Sequence, residues 1–387
     1  MIIVTSAAEL DSAVSILSTA SVLAIDTEFM REKTYYPKLC LLQIACDDEL
    51  FIIDPLINKL DLRPLAGLWS DSSIVKVFHA GTQDLQILYD ACGTPPRPYF
   101  DTQDAATLIG QPEQVGYGAL VERLLDVKLS KSDSFTDWAR RPLSKDQLAY
   151  AADDVSYLLQ LYPIVLAELE SLDRQSWLNE EFERKSSPKS LEVDLRMQYR
   201  RLKRVSSLKP HQLAVAREVA AWREKEAMRK NIPKRWLLSD ESILEIARRM
   251  PTSTQKLSTL RGVDTNLKYS LKAIIAAVEA GRNCPQDQWP QLPERRRITG
   301  EDSAAIELMA AIVRKRSAEN RLSSSVLGSR ALLEEYLSSR SDDCALMQGW
   351  RRQIIGDEIK RLLEGKISLS FKNNCLTIEE ESCDASS

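Results

Sequence analysis

The chain has 387 residues, 44% hydrophobic and 28% charged, with a net charge of −4, an ordinary balance for a soluble globular protein of two or three domains. Its first residues lack a basic segment ahead of an apolar one, and no run approaches 18 apolar residues. Neither a secretory signal nor a transmembrane helix is expected.

Seven scattered cysteines (Cys40, Cys46, Cys92, Cys284, Cys344, Cys375, Cys383) form no CxxC pair, which excludes a disulfide framework and points to a reducing cytoplasm. With only His79 and His211, a multi-histidine zinc site is untenable, so any metal chemistry falls to carboxylates.

Along the chain, residues 22–28, 39–46, 50–54 and 74–79 are short β-rich runs, and the first three are close enough for an antiparallel meander. Gly81 and Thr82 open a helical pattern from Asp84 to Ala91. Tyr99 and Phe100 read as a short strand, and Asp101-Thr102 as its end and a helix cap. Helical spacing then covers 103–109, 117–126 and a long stretch from Lys145 to about Leu172, giving a mixed α/β unit. Residues 173–208 are charged and irregular and contain the run RMQYRRLKR at 196–204. Residues 209–282 show four or five amphipathic segments broken at Pro233, Pro251 and Gly262, with Gly281 as a helix stop and 284–293 as a linker. A second helical block spans about 299–366, and the polar, acidic end from about Lys372 is expected to fray. Charge is split between the halves: residues 1–190 hold 17 Lys+Arg against 29 Asp+Glu, net −12, and the remainder is net +8. The acidic half can hold cations, and the basic half can meet a polyanion.

Three acidic clusters carry the chemistry. Asp26 and Glu28 stand two apart at a strand end, so both side chains share a face and can share one cation or bridge two. Asp84 lies in the first turn of its helix, where a carboxylate also serves simply to stabilise the dipole. Tyr150 and Asp154 are four apart on one helix face, while the adjacent Asp153 points about 100° away. The Tyr150 phenol can orient a water beside a metal-bound carboxylate, or it can be a half-buried aromatic with a satisfied hydroxyl. Four carboxylates suit two cations that activate water and bear a leaving alkoxide, as phosphodiester hydrolysis requires.

The segments DTE at 26–28, HAGTQD at 79–84 and YAADD at 150–154 resemble the three exonuclease motifs of the DEDD superfamily, in its tyrosine-containing DEDDy branch. LLQIA at 41–45 and FDTQ at 100–103 are similar to the same family between its motifs. Many relatives carry His-Asn in the second motif where this chain has His79-Ala80; His79 is either a substrate-positioning residue or a satisfied core-edge histidine. LKPHQLAVAREVAAWREKEAMRKNIPKRWLLSDESILEIARRMP and LRGVDTNLKYSLKAIIAAV resemble an HRDC module, and the block after it looks like a diverged copy. This order resembles the bacterial ribonuclease D family.

The resemblance implies an α/β ribonuclease H-like exonuclease domain at 1–172, a basic connecting segment at 173–208 and all-α HRDC-type domains at 209–287 and 295–370, followed by a polar acidic tail at 371–387. It implies a cytoplasmic, monomeric 3′→5′ exoribonuclease that releases nucleoside 5′-monophosphates and trims RNA, above all tRNA precursors with 3′ extensions. Asp26, Glu28, Asp84 and Asp154 would hold two Mg²⁺ or Mn²⁺ ions while Tyr150 positions the attacking water. Arg200, Arg201, Lys203 and Arg204, with Arg229, Lys230, Lys234 and Arg235, are candidates for phosphate contacts, although a basic run also suits a solvated helix face. Trp222 and Trp236 offer stacking surfaces but read more naturally as helical core. A DNA 3′→5′ exonuclease and an inactive nucleic-acid-binding scaffold are the rival readings.

Overall fold

Six strands form one sheet in the computed structural model, which describes residues 1–47, 49–129, 136–263, 269–292 and 299–380. They are β1 (Ile2–Val4), β2 (Val22–Met30), β3 (Lys38–Cys46), β4 (Glu49–Ile53), β5 (Val75–Phe78) and β6 (Tyr99–Asp101), in the order β1-β4-β3-β2-β5-β6. The expected meander is β2-β3-β4, paired antiparallel, while β1, β5 and β6 join as parallel strands. β3 is buried on both faces from Cys40 to Cys46, which explains its nearly unbroken apolar run. Three residues are too few to show an alternation, so β1 was not foreseen.

Helices α1 (Ala7–Leu17), α2 (Ala66–Ser70), α3 (Thr82–Cys92), α4 (Thr102–Leu108), α5 (Tyr117–Leu125) and α6 (Lys145–Ser171) complete this unit. Ser144 and Gln147 close a capping box at the start of α6. Ala151, Val155, Leu158, Leu161, Val165 and Leu169 form its buried stripe.

The connecting segment is more ordered than its composition suggested. It contains α7 (Ser176–Lys185), α8 (Pro188–Leu191) and a 3-10 helix at Leu195–Arg201. Several short elements leave no sustained period to read. The next block, α9 (Pro210–Lys230), α10 (Lys234–Leu237), α11 (Asp240–Arg249), α12 (Thr254–Ser258) and α13 (Leu271–Arg282), has its own core, which also takes in Tyr199, Leu202 and Leu208. Gly281 is not a stop. It lies inside α13, and a Cβ there would sit 2.4 Å from Val215 Cα of α9, so glycine is what lets the two helices cross closely.

The last block comprises α14 (Gly300–Asn320), α15 (Ser324–Gly328), α16 (Arg330–Ser339), α17 (Gly349–Arg351) and α18 (Asp357–Leu363). Its apolar residues, from Ile306 to Ile367, join the core of the sheet unit. Trp177 stacks on Trp350 with ring centroids 4.9 Å apart, and Arg174 donates to Leu108 O and Asn320 O, both at 2.6 Å. The end of the chain differs from expectation. β7 (Ile367–Lys372) and β8 (Cys375–Glu380) form a hairpin. Asn373 and Asn374 at its turn have φ of 52° and 61°, the left-handed pair that a two-residue hairpin needs. Cys383 and the rest of the acidic end, with 264–268 and 293–298 of the expected helical blocks, lie outside the described residues. Among the described residues no helix is long and apolar enough to cross a membrane, and the six cysteines are unpaired.

Candidate active site

The catalytic candidates converge because α6 lies across β2 and β3. Ala151 and Val155 are fully buried, and Asp154 shares their face of the helix. On β2, Asp26 and Glu28 share a face, and the ladder with β3 shifts register immediately after Glu28. Such a bulge re-aims the strand end. As a result Asp26, Glu28 and Asp154 bring one carboxylate oxygen each within 4.8 Å of one another. A cleft of about 300 Å³ holds these three together with Asp84, Tyr150, His79, Thr27, Phe29, Ala80, Gln83, Tyr117 and Leu158. Asp84 is in the cleft but outside the tight triad, where its carboxylate accepts a hydrogen bond from the Thr27 hydroxyl.

Electrostatics in the cleft favour a cation. Burial first, then the charges of Asp84, Asp154 and Glu28, hold the Asp26 carboxyl well above the usual range. Burial, with Asp154 and Asp84, pushes Glu28 up to about 8. Burial takes Asp154 to about 7 against a hydrogen bond from Tyr150, and Asp84 to about 6 against the hydrogen bond from Thr27. Without a cation Glu28 keeps its proton near neutrality, and a divalent ion would compensate the cluster's crowded negative charge. An all-oxygen, multiply anionic set matches a hard cation such as Mg²⁺ or Mn²⁺.

Tyr150 is held from both sides. Its ring lies 5.9 Å from that of Trp138, and its hydroxyl is next to the Asp154 carboxylate; burial, then that charge, raises the phenol's pKa. Trp138 is fixed in turn by Arg141, which binds Trp138 O at 2.7 Å, Cys40 O at 2.8 Å and the buried Asp54 carboxylate at 2.5 and 2.8 Å. Asp153 does not line the cleft; its backbone carbonyl accepts from the Tyr117 hydroxyl at 2.8 Å.

His79 reaches the cleft with both ring nitrogens engaged, Nδ1 with Thr102 Oγ1 at 2.9 Å and Nε2 with Val115 O at 3.0 Å. With both nitrogens engaged, His79 has the bonding of a satisfied core-edge histidine, one of the two roles the sequence left open. The next residue, Ala80, has φ of +57°. That left-handed conformation favours Asn over Ala, a backbone reason for the Asn of many relatives. Asp101 secures this turn, accepting from Ala80 N and Gly81 N at 2.9 Å each. Thr27, Gln83, Tyr117 and Asp101 escaped the sequence reading; the FDTQ segment was the available signal for Asp101.

The basic candidates divide into two groups. Lys234 is 3.0 Å from the buried Glu224, and Arg229 and Lys230 pair with Glu226 at 2.8 and 3.1 Å. These three are largely neutralised within the protein. Arg200, Arg201, Lys203, Arg204 and Arg235 are exposed. Arg201 and Arg235 line a groove of about 960 Å³ between the sheet unit and the first helical block, together with Arg31, Tyr35, Tyr36 and Trp236. Gln83 lines both groove and cleft. Trp236 is 62% exposed, against its expected core role, because the four-residue α10 lies at the edge of its block; Trp222 does pack against the core. The groove is braced by Asn231 Oδ1, which accepts from Tyr35 N and Tyr36 N at 3.1 and 3.0 Å, and by the Tyr35 hydroxyl, which donates to Glu224 at 2.8 Å.

A mixed sheet carrying this carboxylate cleft defines a metal-dependent 3′-5′ exonuclease, and residues 1–170 match the family model for 3′-5′ exonuclease, with residues 212–278 matching the HRDC domain. The chain is 37% identical over 384 residues to ribonuclease D of Nitrobacter hamburgensis, covering 99% of this chain and 100% of that protein. It is also 37% identical to ribonuclease D of Sphingobium indicum, over 92% of each. The crystal structure of Escherichia coli RNase D, described as an exoribonuclease involved in structured RNA processing, superposes with a TM-score of 0.80 at 29% identity, covering 94% of this chain and 98% of that one. The chain belongs to the ribonuclease D family of 3′-5′ exoribonucleases.

Proposed function

We propose that this enzyme removes nucleoside 5′-monophosphates one at a time from RNA 3′ ends, with tRNA precursors bearing 3′ extensions as its substrates. The observation that carries the catalytic part is the approach of Asp26, Glu28 and Asp154 within 4.8 Å beside Tyr150, in a cleft that shares Gln83 with a groove that carries arginines. Two Mg²⁺ or Mn²⁺ ions, when bound, would supply activation of the attacking water and stabilisation of the leaving 3′ oxygen. Asp26, Glu28, Asp84 and Asp154 are the residues that would hold them. The Tyr150 hydroxyl, fixed by Asp154 and by the packing of its ring on Trp138, orients the water for in-line attack. Thr27 keeps Asp84 turned into the cleft.

RNA follows the groove, with Arg31, Arg201 and Arg235 on phosphates and the exposed Trp236 ring against a base. The tRNA assignment is supported by the family resemblance and by the structured-RNA role of the Escherichia coli neighbour. The last block reads as a diverged copy of the first: α14, α15 and α16 have 21, 5 and 10 residues, and α9, α10 and α11 have 21, 4 and 10.

The test is incubation with 5′-labelled tRNA bearing a 3′ extension, a matched unstructured RNA and a matched DNA, in Mg²⁺ or Mn²⁺. Stepwise 3′ shortening with release of 5′-monophosphates, fastest on the tRNA precursor, is expected. Equal or faster shortening of DNA would reassign the substrate, and no shortening of any of them refutes the reading.

A further inference from the structure

Gln43 lies in the middle of β3, directly across from Asp26 in the antiparallel register. Directly paired residues occupy the same sheet face, so Gln43 shares the face of Asp26 and Glu28. Its neighbours along that face of β3 are Leu41 and Ala45. Gln43 is the only polar side chain between Lys38 and Cys46. It is fully buried, yet neither Nε2 nor Oε1 has a hydrogen-bond partner. A buried amide with both ends unsatisfied is costly, and an apolar residue of similar shape would avoid that cost. Packing alone therefore gives no reason for an amide at this position. Gln43 does not line the cleft, so it does not act on RNA directly.

We infer that Gln43 is a positioning residue for Asp26, its amide N–H orienting the Asp26 carboxylate when divalent cations are bound. This rests on the metal-dependent reading of the site. A carboxylate shared between two ions commits both of its oxygens, and a fixed donor beside it sets the plane in which they lie. Partners of this kind are worth about 10–100-fold in metal affinity or activity. In the structure the amide makes no hydrogen bond to Asp26; on this inference its donor finds that partner from the neighbouring strand once the ligand set is assembled. Asp26 would be the ligand common to both ions, so an error in its orientation would weaken both sites together.

The full-length Gln43→Leu and Gln43→Met proteins separate this role from a packing role. Three readouts are needed: the Tm of the metal-free protein, the Mn²⁺ dissociation constant by calorimetric titration, and kcat and KM on labelled RNA. The expected result is a metal-free Tm at or above wild type, because an unsatisfied amide is removed. Alongside it, Mn²⁺ affinity falls about 10–100-fold, kcat falls at subsaturating metal, and KM for RNA is unchanged. Gln43→Met retains the shape of the side chain and guards against a folding defect in Gln43→Leu. Wild-type Mn²⁺ affinity in either folded variant overturns the inference. So does a loss of activity that tracks a loss of Tm, which marks Gln43 as a packing residue. A wild-type protein that binds no Mn²⁺ and cuts no RNA refutes the proposed function itself; the inference alone fails when wild type does both and the variants match it.

Discussion

Glu28→Gln should abolish turnover and at the same time stabilise the metal-free protein. Burial, with the charges of Asp154 and Asp84, raises the Glu28 carboxyl from 4.5 to about 8 in the fold. Between those values the folded chain keeps a proton that the unfolded chain has released. Its stability is therefore full below about pH 4.5 and is lost as the pH rises towards 8. At 1.36 kcal/mol per unit, the loss is about 3 kcal/mol at pH 7 and about 5 kcal/mol above pH 8. Asp154, raised to about 7, and Asp84, raised to about 6, add losses of the same sign. Glutamine does not ionise, so the variant escapes the Glu28 share. Scanning calorimetry in EDTA at several values between about pH 5 and pH 8 should show the wild-type Tm falling, and the variant falling less, with a gap of a few degrees at the upper end. Adding Mg²⁺ should restore the wild type, because the ion binds the folded cluster and not the unfolded chain, and should restore the variant less. A wild-type metal-free Tm that stays flat or rises across this range, or a variant as pH-sensitive as wild type, would refute the reasoning.

Asp26→Asn, Asp84→Asn and Asp154→Asn should each abolish RNA hydrolysis in Mg²⁺ while leaving filter binding of RNA largely intact. Asp153→Asn should retain activity, since Asp153 does not line the cleft; the reverse order of damage at 153 and 154 would mean that the wrong carboxylate has been assigned. Tyr150→Phe preserves the ring against Trp138 and removes only the hydroxyl, so kcat should fall about 10²–10⁴-fold with RNA affinity unchanged; full kcat would reduce Tyr150 to a packing residue. Ala80→Asn should raise Tm by the equivalent of about 1 kcal/mol, because Asn tolerates the left-handed backbone there better than Ala; a lower Tm counts against that account. Arg201→Ala and Arg235→Ala should weaken RNA binding and each reduce the salt slope by about 1, whereas Lys230→Ala, already paired to Glu226, should leave the slope unchanged.

The sequence by itself determined the local pieces. Period-two and period-3.6 patterns marked β2, β3, β4, β5 and α3 to α6 near their observed ends, because each buries one face or two within a few residues. Spacing placed Asp26 with Glu28, and Tyr150 with Asp154, on common faces, since strand and helix geometry fix such relations locally. What joins the pairs is tertiary. The 4.8 Å approach of Asp26, Glu28 and Asp154 depends on α6 packing across β2 and β3, and no local period encodes that contact between residues more than a hundred positions apart. The basic residues were legible only as a charge balance; folding set Lys230 and Lys234 against Glu226 and Glu224 and left Arg201 and Arg235 in the groove. The Asn373-Asn374 hairpin was locally written but was masked by the polar composition of its strands. The union of the last block with the sheet core through Trp177, Trp350 and Arg174 was beyond any local reading. Side-chain packing between distant segments is decided by the whole chain at once.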